Sequence, residues 1–96
     1  MLESKYEKQF KKDLKVVKRR GYDMDLIFEV IELLLAEDTL PQKYQDHALI
    51  KNKKYRNVRE CHILPDWLLV YRVEKELELL RLVRTGTHSD LFCIAF

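Results

Sequence analysis

Residues 59–73 read RECHILPDWLLVYRV, two apolar runs separated by Leu-Pro-Asp at positions 64–66. Proline and aspartate favour a tight turn, so the stretch predicts two β-strands, over 58–64 and 67–74, that pair antiparallel. The second strand is apolar on both faces, which indicates a central strand covered by helices on one side. This hairpin decides the fold class, and the other elements are placed around it.

The segments on either side of the hairpin extend the same sheet. A third strand is expected over residues 77–84, joined to the second by the turn Glu-Lys-Glu at 74–76. A break at 85–87 (Thr-Gly-Thr) is followed by one predicted helical turn at 89–92. Before the hairpin, residues 47–50 predict a short strand within an otherwise polar and basic segment. The sequence therefore predicts a sheet of short antiparallel strands.

Two helices are predicted near the N-terminus. Apolar residues at spacings of four, four and three mark one face of a helix over 5–19, namely Tyr6, Phe10, Leu14 and Val17. Gly21 is placed to close this helix, and Asp23 to cap a second one that ends near Ala36. Their short connection predicts an antiparallel helical hairpin. The expected fold is α+β, with this hairpin packed on a twisted antiparallel β-sheet in a single domain over 1–96.

Side-chain alternation along the strands separates the two faces of the sheet. Cys61 and Ile63 are expected to face the helices, which leaves His62 on the open face. In the third strand, Arg84 is expected to share a face with Leu82. The open face is therefore where exposed polar chemistry is predicted.

The net charge of +2 conceals a segmented distribution. Residues 1–20 carry eight bases and three acids, residues 21–40 six acids and no base, and residues 41–60 six bases and two acids. The first basic block is as compatible with a solvated helix surface as with a surface that binds a partner. The stretch KNKKYRNVR at 51–59 sets five bases around Tyr55 and suits a phosphate-rich partner, although charge by itself does not separate RNA from an acidic protein.

Several protein classes are excluded by composition. No apolar run approaches the roughly 18 residues that a membrane span needs, and the charged N-terminus lacks the apolar segment of a secretory signal. The two cysteines, Cys61 and Cys93, are therefore expected to be free thiols in a reducing cytoplasm. A metal site is not expected, because no CxxC or HxxxH spacing is present.

Three separated motifs carry a family resemblance: DHAL at 46–49, RECHILPDWLLVY at 59–71 and RTGTHSDLF at 84–92. In this order they resemble the YafQ branch of the RelE/ParE superfamily of bacterial toxins, and the resemblance covers the whole chain. It implies a RelE-like, microbial-RNase-like fold and a ribosome-dependent endoribonuclease that cuts mRNA in the ribosomal A site. It also implies that no metal or other cofactor is used, and that a cognate antitoxin of the ribbon-helix-helix, DinJ- or RelB-like type inhibits the toxin.

The resemblance also implies where the functional residues lie. The implied catalytic set is His47, His62, Asp66, Arg84 and His88. The implied aromatic contacts to RNA are Trp67 and Phe92. The basic segment adds further candidate RNA-binding residues, namely Lys51, Lys53, Lys54 and Arg56. Ribosomal RNA and mRNA are the expected nucleic-acid partners.

Metal-free RNA cleavage needs residues of these types. The 2′-OH attacks the adjacent phosphorus, so the reaction needs a base, an acid for the 5′-oxygen and a cation for the phosphorane charge. Imidazoles titrate near neutral pH, and arginine offers a planar, permanently charged fork. We expect His88 to be the acid and either His62 or Asp66 the base. Arg84 would stabilise the transition state, and His47 would position the phosphate or share proton transfer.

Each of these residues also has a purely structural alternative. Trp67 at the start of an apolar strand is more often a core residue than a stacking platform for a base. Asp66 follows a proline and is a common type of turn residue. A strand histidine such as His62 is usually hydrogen-bonded to a neighbour, and Phe92 can simply anchor the last turn.

Two other functions stay open at the level of the sequence. One is a non-catalytic, ParE-like inhibitor that binds DNA gyrase. The other is an inactive toxin that only binds its antitoxin and helps to repress its operon. The presence of His62, Asp66, Arg84 and His88 in the matching motifs favours the nuclease over the ParE-like inhibitor.

Overall fold

The computed structural model describes residues 1–49 and 58–91, and within them a single β-sheet combined with three α-helices. Along the chain the elements are β1 (Glu3–Tyr6), α1 (Lys8–Arg19), α2 (Met24–Leu35), β2 (His47–Ala48), β3 (Arg59–Leu64), β4 (Trp67–Glu74), β5 (Leu79–Gly86) and α3 (His88–Leu91). The strands are ordered β1-β5-β4-β3-β2 across the sheet. The expected α+β fold is confirmed. No helix in the described ranges is long and apolar enough to cross a membrane.

The hairpin predicted from residues 59–73 is present as β3 and β4, which pair antiparallel. Three consecutive residues of β4, Leu68, Leu69 and Val70, have no exposed surface. In the strand order β4 lies between β5 and β3, in the middle of the sheet, so the central position expected for it is confirmed. The short strand predicted near residue 47 is also present, as β2 at the sheet edge.

Strand β1 is a feature that the sequence patterns do not predict. It runs parallel to β5, with Glu3 opposite Leu79 and Tyr6 opposite Leu82, so the sheet is not purely antiparallel. Its sequence, ESKY, is mostly exposed and shows no apolar alternation that would mark a strand. Because these residues form a strand, α1 begins at Lys8 and not at residue 5.

The main core lies between the helices and one face of the sheet. Its side chains come from both long helices and from the three central strands, and include Phe10, Val17, Ile27, Val30, Ile31, Cys61, Ile63, Leu69, Tyr71, Leu80 and Leu82. A smaller cluster of Val58, Leu68, Val70 and Leu91 covers the opposite, open face. Burial raises the pKa of the Cys61 thiol to about 12, so this free cysteine is a core residue without reactivity.

The end of α1 and the start of α2 are those that the sequence predicts. Gly21 adopts a φ of 85°, and the N–H groups of Gly21 and Tyr22 donate to the carbonyls of Lys18 and Val17, which closes α1 in a Schellman motif. Asp23 caps α2, because its carboxylate accepts a hydrogen bond of 3.1 Å from the N–H of Asp25. Local contacts therefore end α1 and begin α2, and the apolar faces of both helices then meet the sheet.

The third strand of the prediction is displaced along the chain. Residues Lys75–Leu77 form a 3₁₀ turn, and Glu78 follows with a left-handed φ of 50°. Strand β5 therefore spans Leu79–Gly86 instead of 77–84.

A bulge in β5 reverses the predicted orientation of Arg84. Tyr71 pairs with Leu82 but Val70 pairs with Arg84, so Val83 is an extra residue in β5. Leu82 belongs to the main core, whereas Val83 packs against the cluster on the open face. Arg84 therefore lies level with Val70 on the open face, and the expectation that it shares a face with Leu82 is wrong.

Candidate active site

Three histidines from three different elements meet on the open face of the sheet. His62 lies on β3 between the other two, with its ring centroid 6.1 Å from that of His47 on β2 and 5.7 Å from that of His88 at the start of α3. The pairing of β2 with β3 brings His47 to this position, because His47 lies directly opposite Glu60. The fold therefore brings together side chains that are far apart in the sequence.

Glu60 is a fourth member of this group, and the sequence patterns did not single it out. It is only 4% exposed, and its Oε1 lies 3.4 Å from His47 Nε2 and 3.5 Å from His62 Nε2. A carboxylate is rarely buried without partners, and here the partners are two imidazoles. Glu60 precedes His62 by two residues, and strand alternation predicts that both face the same way, but the sequence assigned Glu60 no role.

The segment before His47 fixes the position of its imidazole. Asp46 accepts hydrogen bonds from the guanidinium of Arg59, the shortest of them 2.8 Å long, and from the hydroxyl of Tyr71. Burial, reinforced by Asp46, raises the pKa of Tyr71. His47 Nδ1 lies 2.7 Å from the carbonyl oxygen of Gln45, so both of its ring nitrogens lie near oxygen acceptors.

Asp66 and His88 form a direct pair at the solvent-exposed rim of the group. Asp66 Oδ1 accepts a hydrogen bond of 3.1 Å from the His88 backbone N–H and lies 2.8 Å from His88 Nδ1. These hydrogen bonds from the His88 side chain and backbone lower the pKa of the Asp66 carboxyl. Because a carboxylate only accepts, His88 Nδ1 carries the proton, and Nε2 is left as the nitrogen available to a substrate.

A second set of contacts holds α3, and therefore His88, against the end of α1. Asp90 accepts hydrogen bonds of 2.6 and 3.1 Å from the Arg20 guanidinium and one of 2.9 Å from the Thr87 N–H. The Asp90 N–H in turn donates to Thr87 Oγ1, a reciprocal capping arrangement. A Cβ on Gly86 would lie 2.8 Å from Asp90 Oδ2, so only glycine permits this close approach.

Arg84 lies near the histidine group but is engaged by α1. Its Nε donates to Asp13 Oδ2 at 2.7 Å and its Nη2 to Asp13 Oδ1 at 3.2 Å, and the Thr85 N–H also donates to Asp13. The strand pairing places Arg84 two strands from Glu60, about 10 Å away by the usual spacing between strands. Asp13 therefore fixes the direction of the guanidinium, a pairing that no sequence pattern predicted.

Trp67 is a core residue in this structure. It is 1% exposed, its ring meets that of Tyr22 edge to face at 4.9 Å, and its Nε1 donates to Thr85 Oγ1 at 2.9 Å. No ring face is left for a nucleotide base. The placement favours the core alternative over the stacking role that the resemblance implied.

The remaining RNA-binding candidates lie outside the described residues. They are Lys51, Lys53, Lys54, Arg56 and Phe92. Their assignment therefore stays a prediction from the sequence.

One part of the group has the composition of a metal site. Within the described ranges, the potential ligand atoms of Glu60, His62 and His88 all lie within 4.8 Å of one another. Imidazole and carboxylate are ligands that zinc and other transition metals accept. The sequence predicted no metal site because the three residues share no local spacing motif, although they are adjacent in the fold.

Comparisons with known proteins place the sequence in a family of bacterial toxins. The sequence matches the family described as "Bacterial toxin of type II toxin-antitoxin system, YafQ" over residues 2–93. It is 39% identical over 88 residues to the mRNA interferase toxin YafQ of Escherichia coli (strain B / BL21-DE3), a match that covers 91% of each chain.

Two solved structures are similar in sequence and in fold. A metal-bound toxin from Helicobacter pylori is 43% identical, with a TM-score of 0.88 over 96% of this chain and 100% of the other. A chain in the E. coli DinJ-YafQ complex is 36% identical, with a TM-score of 0.86 over 96% of this chain and 99% of the other. Both the sequence and the fold therefore match the same group of toxins.

Proposed function

The chain belongs to the YafQ family of bacterial type II toxins, and from this premise we propose that it is an endoribonuclease that cleaves mRNA in the ribosomal A site. The observation that carries the proposal is the group formed by His47, His62 and His88 around the buried carboxylate of Glu60. Several imidazoles on one exposed face supply both an acid and a base near neutral pH.

The proposed reaction is attack of a ribose 2′-OH on the adjacent phosphorus. The bond from the 2′-oxygen to phosphorus forms while the bond to the 5′-oxygen breaks, which leaves a 2′,3′-cyclic phosphate. A base takes the proton of the 2′-OH, and an acid gives a proton to the departing 5′-oxygen. Positive charge near the phosphorane stabilises the transition state.

The contacts support a division of roles among the imidazoles. Asp66 accepts hydrogen bonds from His88 and has a lowered pKa, so it is a weak base and better suited to orienting His88. We therefore assign the acid to His88 and the base to His62. His47, held beside Glu60, would position the phosphate, and Arg84 would add positive charge from its place on the open face.

We further propose that the reaction does not depend on a metal. A divalent cation held by Glu60, His62 and His88 would supply Lewis-acid polarisation of a phosphoryl oxygen. It would also occupy imidazole nitrogens that the proposed proton transfers require. Cleavage and tight metal binding would then compete for the same side chains.

Two macromolecular partners follow from the proposed function. The E. coli relative was solved as a DinJ-YafQ complex, which supports a cognate antitoxin for this chain as well, and we propose one of the ribbon-helix-helix type. The ribosome is the second partner, because it would present the mRNA to the site. A protein that acts on ribosomes would work in the cytoplasm.

The test is cleavage of mRNA on purified translating ribosomes, followed by primer extension. His88→Ala and His62→Ala should each reduce the rate by about 10²–10⁴-fold, the usual contribution of a general acid or base. Circular dichroism would establish that both variants are folded. Unchanged cutting by a folded His88→Ala would contradict the assignment of the acid, and growth arrest with intact transcripts would contradict the nuclease itself.

A further inference from the structure

A second concave surface lies on the open face of the sheet, beside the first turns of α1. This groove has a volume of about 880 Å³. Its basic lining residues are Lys5, Lys8, Lys11, Arg72 and Arg84, and Val58 and Val83 form part of its floor. We call this surface the basic groove. Its three lysines belong to the basic segment 1–20, which the sequence predicts either to be solvated or to contact ribosomal RNA; none of them was assigned a role toward mRNA.

Much of the positive charge in the basic groove is not neutralised by neighbours. Lys5, Lys8 and Lys11 are exposed and form no ion pair within the described part of the chain. Arg72 Nε is a buried donor without a hydrogen-bond partner among the same residues, although Glu74 Oε1 lies 3.3 Å away. An unsatisfied donor and three unpaired ammonium groups suit an anionic ligand.

The basic groove and the histidine group share one face of the sheet. Leu68 lies opposite His62, and Arg72 follows Leu68 by four residues along β4, so both point to the open face. Four residues of strand span about 13 Å. A single extended strand of RNA of a few nucleotides could therefore occupy both places at once.

We propose that the basic groove binds the phosphate backbone of the mRNA strand next to the bond that is cut. The inference rests on the proposed function, because it identifies the groove's ligand as the substrate of the neighbouring site. Lysine ammonium groups contact phosphates as mobile point charges and carry no base preference. The groove would therefore add affinity and set the path of the strand without selecting a sequence.

The composition of the groove favours RNA over an acidic protein as the ligand. Protein interfaces are depleted in lysine and rely on buried aromatic anchors. The basic groove has three exposed lysines, and its aromatic member, Tyr6, packs edge to face on Phe10 with ring centroids 5.1 Å apart. Phosphate-rich strands are the ligands that such a surface attracts.

The test compares two pairs of lysines on the same helix. Lys8→Ala with Lys11→Ala removes two charges from the groove, whereas Lys12→Ala with Lys15→Ala removes two exposed charges of α1 that do not line it. The probe is a fluorescein-labelled oligoribonucleotide of about 12 nucleotides, read by fluorescence anisotropy at several salt concentrations.

The groove variant should bind this RNA about tenfold more weakly, since each surface charge contributes modestly. The slope of log affinity against log salt should fall by about 1.4, that is, about 0.7 for each lost phosphate contact on a single strand. The control variant should keep the wild-type affinity and slope. Equal losses in both variants, or none in the groove variant, would overturn the proposal.

A second experiment identifies the strand in its natural setting. Ribosomes carrying mRNA with 4-thiouridine near the A site are cross-linked to the toxin, and the attached peptides are identified by mass spectrometry. A cross-link between mRNA and the segment 5–11 supports the proposal. Cross-links of that segment to ribosomal RNA alone, or a loss of antitoxin binding without a loss of RNA binding in the groove variant, would overturn it.

Neither experiment depends on cleavage. A toxin that binds RNA through the groove but never cuts would contradict the proposed function but not the inference about the groove. A toxin that cuts normally although its groove binds no RNA would contradict the inference about the groove but not the proposed function.

Discussion

His88 Nδ1 lies 2.8 Å from Asp66 Oδ1, and the same oxygen accepts a hydrogen bond from the His88 backbone N–H. One carboxylate oxygen at the β3–β4 turn thus holds both the ring and the main chain of a residue that begins α3. Asp66 therefore acts on the candidate site through His88, in addition to its place in the turn.

Asp66→Asn should reduce cleavage less than Asp66→Ala. The amide keeps an oxygen that accepts from the His88 N–H groups but loses the charge, so we expect a loss of about tenfold, against about 100-fold for alanine. Single-turnover cleavage on ribosomes measures both. Equal, much larger losses in the two variants would indicate that Asp66 itself is the base.

Zinc should inhibit cleavage by binding Glu60, His62 and His88. Added Zn²⁺ is expected to block the reaction, and a chelator selective for zinc over magnesium should restore it while leaving the metal-free enzyme unaffected. Glu60→Gln should weaken zinc binding by about 10-fold or more, measured by calorimetry, because an amide is a poorer ligand than a carboxylate. Loss of activity on chelation would contradict the metal-independent mechanism.

The Arg20–Asp90 pair should make stability depend on pH in the acid range. Hydrogen bonds from Arg20, reinforced by those from Thr87, lower the pKa of the Asp90 carboxyl below its ordinary value of 3.8. A folded-state pKa below the unfolded one stabilises the protein above that ordinary value, and the contribution is lost as pH falls through the folded pKa.

Wild type should therefore have a larger free energy of unfolding in urea than Asp90→Asn at about pH 7. The difference should be smaller at about pH 3, below the unfolded-state pKa, and should disappear only once pH is below the folded-state pKa of Asp90. Glu29→Gln, an exposed carboxylate-to-amide change on α2, is the matched control and should unfold like wild type at both pH values. A difference between Asp90→Asn and wild type that persists unchanged in acid would refute the assignment.

Asp13→Asn should destabilise the fold by about 2–4 kcal/mol, because it removes the carboxylate charge that pairs with Arg84 and accepts from the Thr85 N–H at a largely buried site. Glu29→Gln again provides the comparison, with an expected change within about 0.5 kcal/mol. Equilibrium unfolding in urea gives both values. Equal stabilities for the two variants would show that the Asp13–Arg84 pair contributes little.

Trp67→Phe separates the core role from the stacking role. Phenylalanine keeps an aromatic ring but loses the hydrogen bond to Thr85 Oγ1 and leaves a small cavity. The free energy of unfolding should therefore fall by about 1–3 kcal/mol. The folded variant should cleave mRNA with an unchanged KM. A raised KM without a loss of stability would restore the stacking role.

The local features of this chain were predictable because they depend on neighbours in the sequence. The apolar runs around Pro65 predicted the β3–β4 hairpin, Asp23 and Gly21 predicted helix ends, and alternation placed His62 on the open face. These signals need only the geometry of a strand or a helix turn. The family motifs then pointed to the three histidines, which the fold does bring together.

Other features arise only from contacts between segments far apart in the chain. Strand β1 forms because β5 offers a free edge, and the extra Val83 in β5 turns Arg84 toward the histidine face. Neither the β1 strand nor the bulge at Val83 produces a periodic pattern of apolar residues in the sequence. The buried carboxylate of Glu60 likewise has His47 as a partner only because β2 pairs beside β3.

The sequence by itself determined the fold class, the central hairpin and the residue types available for RNA chemistry, since each follows from local propensity and side-chain chemistry. Only the tertiary structure decided which of these side chains meet. It joined Glu60 to His47 and His62, fastened His88 to Asp66, and buried Trp67, because long-range pairing and packing set distances that no spacing along the chain specifies.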